Sequence, residues 1–264
     1  MAVMLSIGLN NMKITKLIKN HFRPIYDYIW KFWELHTDKP SGQYPIVIQG
    51  IQRSGTNYLT EVLMSFEYRV LNRIDPKRNN PCHKHCRWQN DKTTIVMDDR
   101  YQNNCYASSI CQINAICGYP ESQKHIVIFR SPDKWLSSIY QWGLQNFWFN
   151  DKKEFFDRNL HKTYLQEWDA YYAFWQSMTS QDPEQVLIVC YELLVNQPGI
   201  ELERIDNFMG IERLTKVKSN ISIEKVRHSK PISENRVSLQ HPEIAMLLNK
   251  EFFFDWRRFA KCSN

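Results

Sequence analysis

Short apolar runs alternate with longer stretches of helical spacing over most of the chain. Pro45 to Gly50 carries Ile46, Val47 and Ile48 in a row, which reads as a strand buried on both faces, as in a parallel sheet. Leu59, Val62, Leu63 and Phe66 then step by three and four, predicting a helix over Thr56 to Phe66. Tyr68 to Ile74 reads as a second, weaker strand and Thr93 to Met97 as another. Ile110, Ile113, Ala115 and Ile116 predict a helix covering the sheet, stopped by Gly118 and Pro120. Ile126 to Phe129 is again a buried strand. Ser131 can cap the helix after it, with Pro132 at the first position and Asp133 in the first turn. Trp135, Ile139 and Trp142 mark that helix's buried face. From Asp151 to about Ser180, Leu160, Tyr164, Trp168, Tyr171, Trp175 and Met178 predict one long amphipathic helix. Val186 to Cys190 is the last clear central strand, Pro198 to Met209 a further helix, and Pro242 to Phe259 a closing helical stretch. Strands alternating with helices in this way make an α/β domain with a mostly parallel sheet.

The chemistry concentrates where strands end. Gly50-x4-Gly55 joins the first strand to the first helix, a geometry that aims backbone N–H groups and a helix N-terminus at an anion. The triphosphate-binding version of this loop ends Gly-Lys-Ser/Thr, the lysine reaching the outer phosphates and the hydroxyl holding magnesium. Here Gly55 is followed by Thr56 and Asn57, and the loop's cation is Arg53, placed before Gly55. Such a loop can cradle a phosphate without the lysine a triphosphate calls for. Arg130, at the carboxyl end of the Ile126–Phe129 strand, offers a second, planar grip suited to phosphate. Ser138, about two turns into the next helix, can supplement it.

At Gly50, Arg53, Ser54, Gly55, Thr56 and Leu59 the sequence resembles the sulfotransferase family, whose first motif runs Gly-x-x-Arg/Lys-Ser-Gly-Thr-x-x-Leu. Arg130 and Ser138 match the family's second motif, an arginine at a strand end and a serine eight positions later that together grip a 3′-phosphate. The resemblance implies a P-loop-type three-layer αβα sandwich. It also implies a donor, 3′-phosphoadenosine 5′-phosphosulfate (PAPS, leaving PAP), whose sulfuryl group passes to an acceptor hydroxyl on a carbohydrate or small molecule, with no metal required. Backbone N–H groups of Ser54, Gly55, Thr56 and Asn57 would then hold the 5′-phosphate, and Arg53 would neutralise charge on the bridging oxygen. Tyr191, in a Tyr-Glu pair after the last strand, would lie near the nucleotide, and Lys230, with Arg227 as the alternative, would cover the 3′-phosphate.

Transfer to a hydroxyl calls for a base that titrates near neutrality, which histidine supplies untuned. The loop Asp75 to Trp88 gathers Asp75, His83, Lys84 and His85 after the second strand. His85 is the preferred base, His83 and Asp75 are the reserves, and Lys84 is a contact to the sulfuryl oxygens. Cys82-His83-Lys84-His85-Cys86 has a rival reading as zinc ligands, but four ligands within five residues do not converge easily on one tetrahedron.

Composition changes this picture little. At 264 residues, 43% hydrophobic, the chain can bury a large core, and a net charge of +6 suits a polyanionic ligand or an anionic surface. Aromatics at 14%, nine tryptophans among them, suit core packing and also ring-lined adenine or sugar pockets. An odd seven cysteines with no evident secretory signal favours reduced thiols and a cytoplasmic setting. Residues 1–39 read as a basic amphipathic helical extension ahead of a sulfotransferase-like domain at 40–264. Lys13, Lys16, Lys19 and Arg23 there accompany Ile14, Leu17, Ile18, Phe22 and Ile25 at helical spacing. That extension either packs on its own domain or makes a peripheral membrane contact; no nucleic-acid partner is expected. The rival classes are a P-loop kinase-like phosphotransferase, which would use ATP and magnesium, and a non-catalytic polyanion- or membrane-binding module.

Overall fold

A computed structural model describes residues 44–72, 84–85, 87–88, 106–212 and 241–261, with backbone alone at 87, 88 and 106. All of them fall within one compact unit, Gly42–Arg73 with Pro81–Asn264. The extension at 1–39 and the expected strand at Thr93 to Met97 lie outside the described residues.

The elements in chain order are β1 (Tyr44–Gln49), α1 (Thr56–Ser65), β2 (Tyr68–Val70), β3 (Arg87–Trp88), β4 (Tyr106–Ala107), α2 (Ile110–Cys117) and β5 (His125–Phe129). After them come α3 (Pro132–Gln145), α4 (Lys152–Asp157), α5 (Leu160–Gln181), β6 (Val186–Cys190), α6 (Tyr191–Asn196), α7 (Pro198–Met209), α8 (Pro242–Leu248) and α9 (Trp256–Phe259). A four-stranded sheet has the order β2-β1-β5-β6, with every neighbouring pair parallel. β3 and β4 form a separate short parallel pair.

Strand side chains alternate between two covered faces, which is why the runs read as continuously apolar. Ile46, Ile48, Ile126 and Ile128 pack with Leu59, Val62 and Leu63 of α1 and Leu202 and Ile205 of α7. On the other face the His125 ring lies 6.1 Å from Trp175, and Phe129 lies 6.0 Å from Tyr172 and 5.1 Å from Phe254. Each such large side chain contributes about 1.5–3 kcal/mol when fully buried. Helices on both faces of a parallel sheet make the three layers.

Some expected elements are shorter than their spacing suggests, each for a visible reason. β2 stops at Val70 because the Asn72 side chain takes over the pairing: it accepts from Ile48 N–H at 2.9 Å and donates to Ile48 O at 2.6 Å. The single helix expected from Asp151 to Ser180 is two, α4 and α5. Asn159 between them adopts φ 54°, the left-handed conformation that Asn tolerates better than most residues. The closing stretch is likewise divided, because the Asp169 carboxylate captures the amides of Phe253 (3.1 Å) and Phe254 (2.8 Å) between α8 and α9. Among the described residues no helix is long and apolar enough to cross a membrane.

Candidate active site

The strand order reverses between β1 and β5: the chain leaves β1 for β2 on one side and returns to β5 on the other. In open parallel sheets the crevice at the carboxyl ends of such a pair is where ligands bind. The Gly50–Gly55 loop follows β1 and Arg130 follows β5, so both grips meet at this point.

The first grip is made of backbone. A Cβ on Gly50 would lie 2.5 Å from Ser54 Oγ and 2.7 Å from Ile128 O, so the loop closes only over a glycine. Gly55 adopts φ 105°, and a Cβ there would stand 2.4 Å from the Tyr191 ring. Arg53 is held at φ 68°, an uncommon conformation for a residue with a side chain. Ser54 N–H donates to Ile51 O at 3.1 Å, closing the turn. The first intrahelical bond is Leu59 N–H to Gly55 O, at 3.0 Å. The amides of Gly55, Thr56 and Asn57 precede it and so have no partner within the helix. α1 has no acidic residue in its first turn and no side-chain cap, which suits an incoming anion. Ser54 Oγ is buried without a partner among the described residues.

The second grip is made of side chains. Arg130 is buried, its Nε has no partner among the described residues, and its guanidinium lies 4.1 Å over the Tyr191 ring. The two grips touch: Arg53 Nε–H donates to Ser138 Oγ at 3.3 Å, and the Arg53 guanidinium sits 5.8 Å over Trp142. Trp142, expected on the buried face of α3, is half-buried beneath that arginine. The Trp135 indole N–H donates to Gln52 O at 2.7 Å and ties α3 to the first loop. Ser131 does not cap α3 with its side chain. Its hydroxyl donates instead to Glu192 at 2.9 Å, with its N–H to the same carboxylate at 3.2 and 3.3 Å.

Lys84 and His85 join the first grip from a distant segment. Gly50 N–H donates to Lys84 O at 3.0 Å, and His85 Nδ1 lies 2.5 Å from Gly50 O. A carbonyl only accepts, so Nδ1 carries the hydrogen and the basic nitrogen is Nε2. Lys84 is fully buried, its Nζ donating to Thr60 Oγ1 at 2.8 Å and to Asn57 Oδ1 at 3.5 Å. Burial pushes the Lys84 ammonium down to about 7, partly opposed by Glu61. His125 makes the contrast: enclosed in the sheet core, with its Nε2 2.7 Å from Asn114 Oδ1, it is pushed by burial down to about 3 and stays neutral.

A family model described as "Sulfotransferase domain" matches residues 43–260. The chain belongs to the sulfotransferase family. It is therefore a transferase that draws a sulfuryl group from PAPS and delivers it to a hydroxyl or amine acceptor. The crystal structure of mouse sulfotransferase SULT7A1 complexed with PAP is 14% identical to this sulfotransferase, the match covering 82% of this chain and 77% of that one with a TM-score of 0.43. No curated protein matches the chain.

Within this sulfotransferase, Arg53, Ser54, Gly55, Thr56, Asn57, Arg130, Ser138, Tyr191 and His85 all lie on or against the loops at the β1 and β5 ends. Lys84, expected at the sulfuryl oxygens, is buried with its Nζ on Asn57 and Thr60 of α1. Asp75, His83, Lys230 and Arg227 lie outside the described residues, as do Cys82 and Cys86 of the zinc reading. Among the described residues no His, Cys, Asp and Glu cluster is suited to a metal. Sequence reasoning misses Glu192, the brace on Ser131; the Tyr-Glu pair next to a strand end is its one signal. Tyr172 is a similar case: its hydroxyl donates to Ile128 O at 2.9 Å and accepts from Ile51 N–H at 3.3 Å, spanning β5 and the β1 loop.

Proposed function

We propose that this sulfotransferase modifies a hydroxyl of a carbohydrate or small molecule, with His85 as the general base and Arg53 as the group that stabilises the departing phosphate. The observation that carries this reading is the pair of buried donors at the reversal point, Ser54 Oγ in the glycine-closed loop after β1 and Arg130 Nε at the end of β5, unpartnered among the described residues. Buried polar atoms without partners are rare in folded proteins, and an anion with two separated phosphates would satisfy both. The residues fit such a nucleotide: amides from Gly55 to Asn57 for the 5′-phosphate, and Arg130 with Ser138 for the 3′-phosphate. Tyr191 would lie beside the nucleotide, and Lys230 would close over the 3′-phosphate.

When bound, the donor supplies the sulfuryl group, its bridging O–S bond breaking as the acceptor oxygen bonds to sulfur. His85 takes the acceptor's proton on Nε2, the tautomer that its Nδ1–H contact to Gly50 O selects. Arg53 meets the negative charge left on the bridging oxygen, the place where a fixed cation lowers the barrier most. Positioning and electrostatics supply the rest of the acceleration, as in phosphoryl transfer.

Calorimetry with adenosine 3′,5′-bisphosphate and with ATP, each with and without magnesium, tests the donor. Binding of the bisphosphate independent of magnesium is expected; a magnesium-dependent preference for ATP would replace this reading with a kinase-like one. Sulfur-labelled donor offered with glycan, phenol and peptide panels identifies the acceptor. His85→Ala should retain bisphosphate affinity while turnover falls by about 10²–10⁴-fold. Loss of both together would make the Lys84–His85 segment a structural brace alone.

A further inference from the structure

The dipeptide after β6 reaches Arg130 of the second grip and the residue that follows it. Tyr191 lies under the Arg130 guanidinium, and Glu192 accepts two hydrogen bonds from the next residue, Ser131. We propose that Glu192 is a positioning residue for the 3′-phosphate grip, its carboxylate fixing the Arg130–Pro132 corner so that Arg130 and Ser138 keep the spacing a phosphate needs. This rests on the donor reading above.

Ser131 precedes Pro132, the first residue of α3, and a serine there usually turns its hydroxyl onto its own helix. Here both its N–H and its O–H go to Glu192, and the Cys190 thiol donates to the same carboxylate at 3.3 Å. The carboxylate thus links the ends of β5 and β6 and stands where the α3 dipole favours negative charge. Charge-assisted bonds of this kind are roughly twice as strong as neutral ones, so they can hold a corner whose neighbouring arginine has, among the described residues, no fixed partner at Nε. Packing Tyr191 against both Gly55 and Arg130 adds a second restraint from the same turn.

A carboxylate beside an anion site also repels the anion, and this makes the proposal testable by sign. Positioning predicts that Glu192→Gln, which keeps one acceptor oxygen, weakens donor binding; bare repulsion predicts that it tightens it. The experiment compares adenosine 3′,5′-bisphosphate with adenosine 5′-monophosphate by calorimetry in wild type, Glu192→Ala, Glu192→Gln and Ser131→Ala, with Arg130→Ala as the benchmark. Glu192→Ala should weaken the bisphosphate by about tenfold, and the other two by about threefold, while the monophosphate changes by less than about twofold. In turnover assays the donor KM should rise with kcat at saturating donor unchanged. Equal losses for both nucleotides, no change for the bisphosphate, or tighter binding in Glu192→Gln would each overturn the role. Should Glu192→Ala fail to fold, Glu192→Gln and Ser131→Ala decide the matter by the same outcomes. A wild-type protein that does not prefer the bisphosphate brings down the donor reading itself. A preference that survives every variant except Arg130→Ala removes only Glu192.

Discussion

The loop after β1 and the corner after β5 both offer an arginine at the sheet's carboxyl edge, yet they are built from different materials. In the first, the donors are main-chain amides and the shape is set by Gly50 and Gly55, against which a single added carbon would collide. In the second, the donor is the Arg130 side chain, and its direction depends on Tyr191 and on Glu192, which reach it and its neighbour Ser131 from the end of the adjacent strand. A backbone site tolerates change in its side chains but none in its glycines. A side-chain site has the reverse sensitivity, since each of its groups can be trimmed at a graded loss.

The sharpest way to break that comparison is Gly55→Ala. The new Cβ would sit 2.4 Å from the Tyr191 ring at φ 105°, so the turn must open or the ring must leave Arg130. Bisphosphate affinity should fall by at least about a hundredfold and stability by about 2 kcal/mol, read by calorimetry and thermal unfolding. Affinity close to wild type would mean that the first loop is not a backbone cradle.

Arg53→Ala should be next in size. Its guanidinium is exposed, stacked on Trp142 and bonded to Ser138, so truncation spares the loop's glycine-set shape while removing its cation. Turnover should drop by about two to three orders of magnitude, as when one oxyanion donor is lost, with a much smaller change in bisphosphate affinity. Steady-state rates near wild type would dismiss Arg53 from the chemistry.

How legible each grip is in the sequence follows from the same difference. A glycine-bounded turn between an apolar strand and an amphipathic helix is a local pattern, so the first grip can be read directly at Gly50 to Asn57. Arg130 and Ser138 can be read because a strand end and the helix that follows it are neighbours in sequence. Val186–Cys190 and Pro198–Met209 have the bounds their spacing indicates, since nothing from elsewhere interrupts them. The bracing of Ser131 by Glu192 is hidden because it depends on β5 and β6 being neighbours, which no local spacing encodes. Lys84 shows the same limit: a lysine in a polar loop reads as a contact to the sulfuryl oxygens, and its burial follows from the long-range rung between Gly50 N–H and Lys84 O. The division of the Asp151–Ser180 helix turns on one residue, Asn159, whose left-handed backbone apolar periodicity does not register.

The smallest expected effect sharpens the comparison by asking whether the first grip also leans on a side chain from a distant segment. Lys84 reaches Thr60 and Asn57 on α1, and burial lowers its folded pKa from 10.5 to about 7. Below pH 7 the lysine is protonated in both folded and unfolded chains, and burying the charge opposes folding by a constant amount. Between pH 7 and 10.5 the unfolded chain still holds the proton that the folded chain has released, so stability rises with pH, by no more than about 1.4 kcal/mol per unit. Cys190 acts in the opposite sense: burial pushes its thiol from 9 up to about 12, and stability falls as pH climbs through that range. Among the described residues the window between pH 7 and 9 therefore separates the lysine from that thiol. Chemical denaturation of wild type and Lys84→Met at several pH values in that window should give curves that diverge, wild type gaining stability relative to the variant as pH rises. Parallel curves would show that Lys84 keeps an ordinary, solvated ammonium, and the first grip would then draw no support from that side chain.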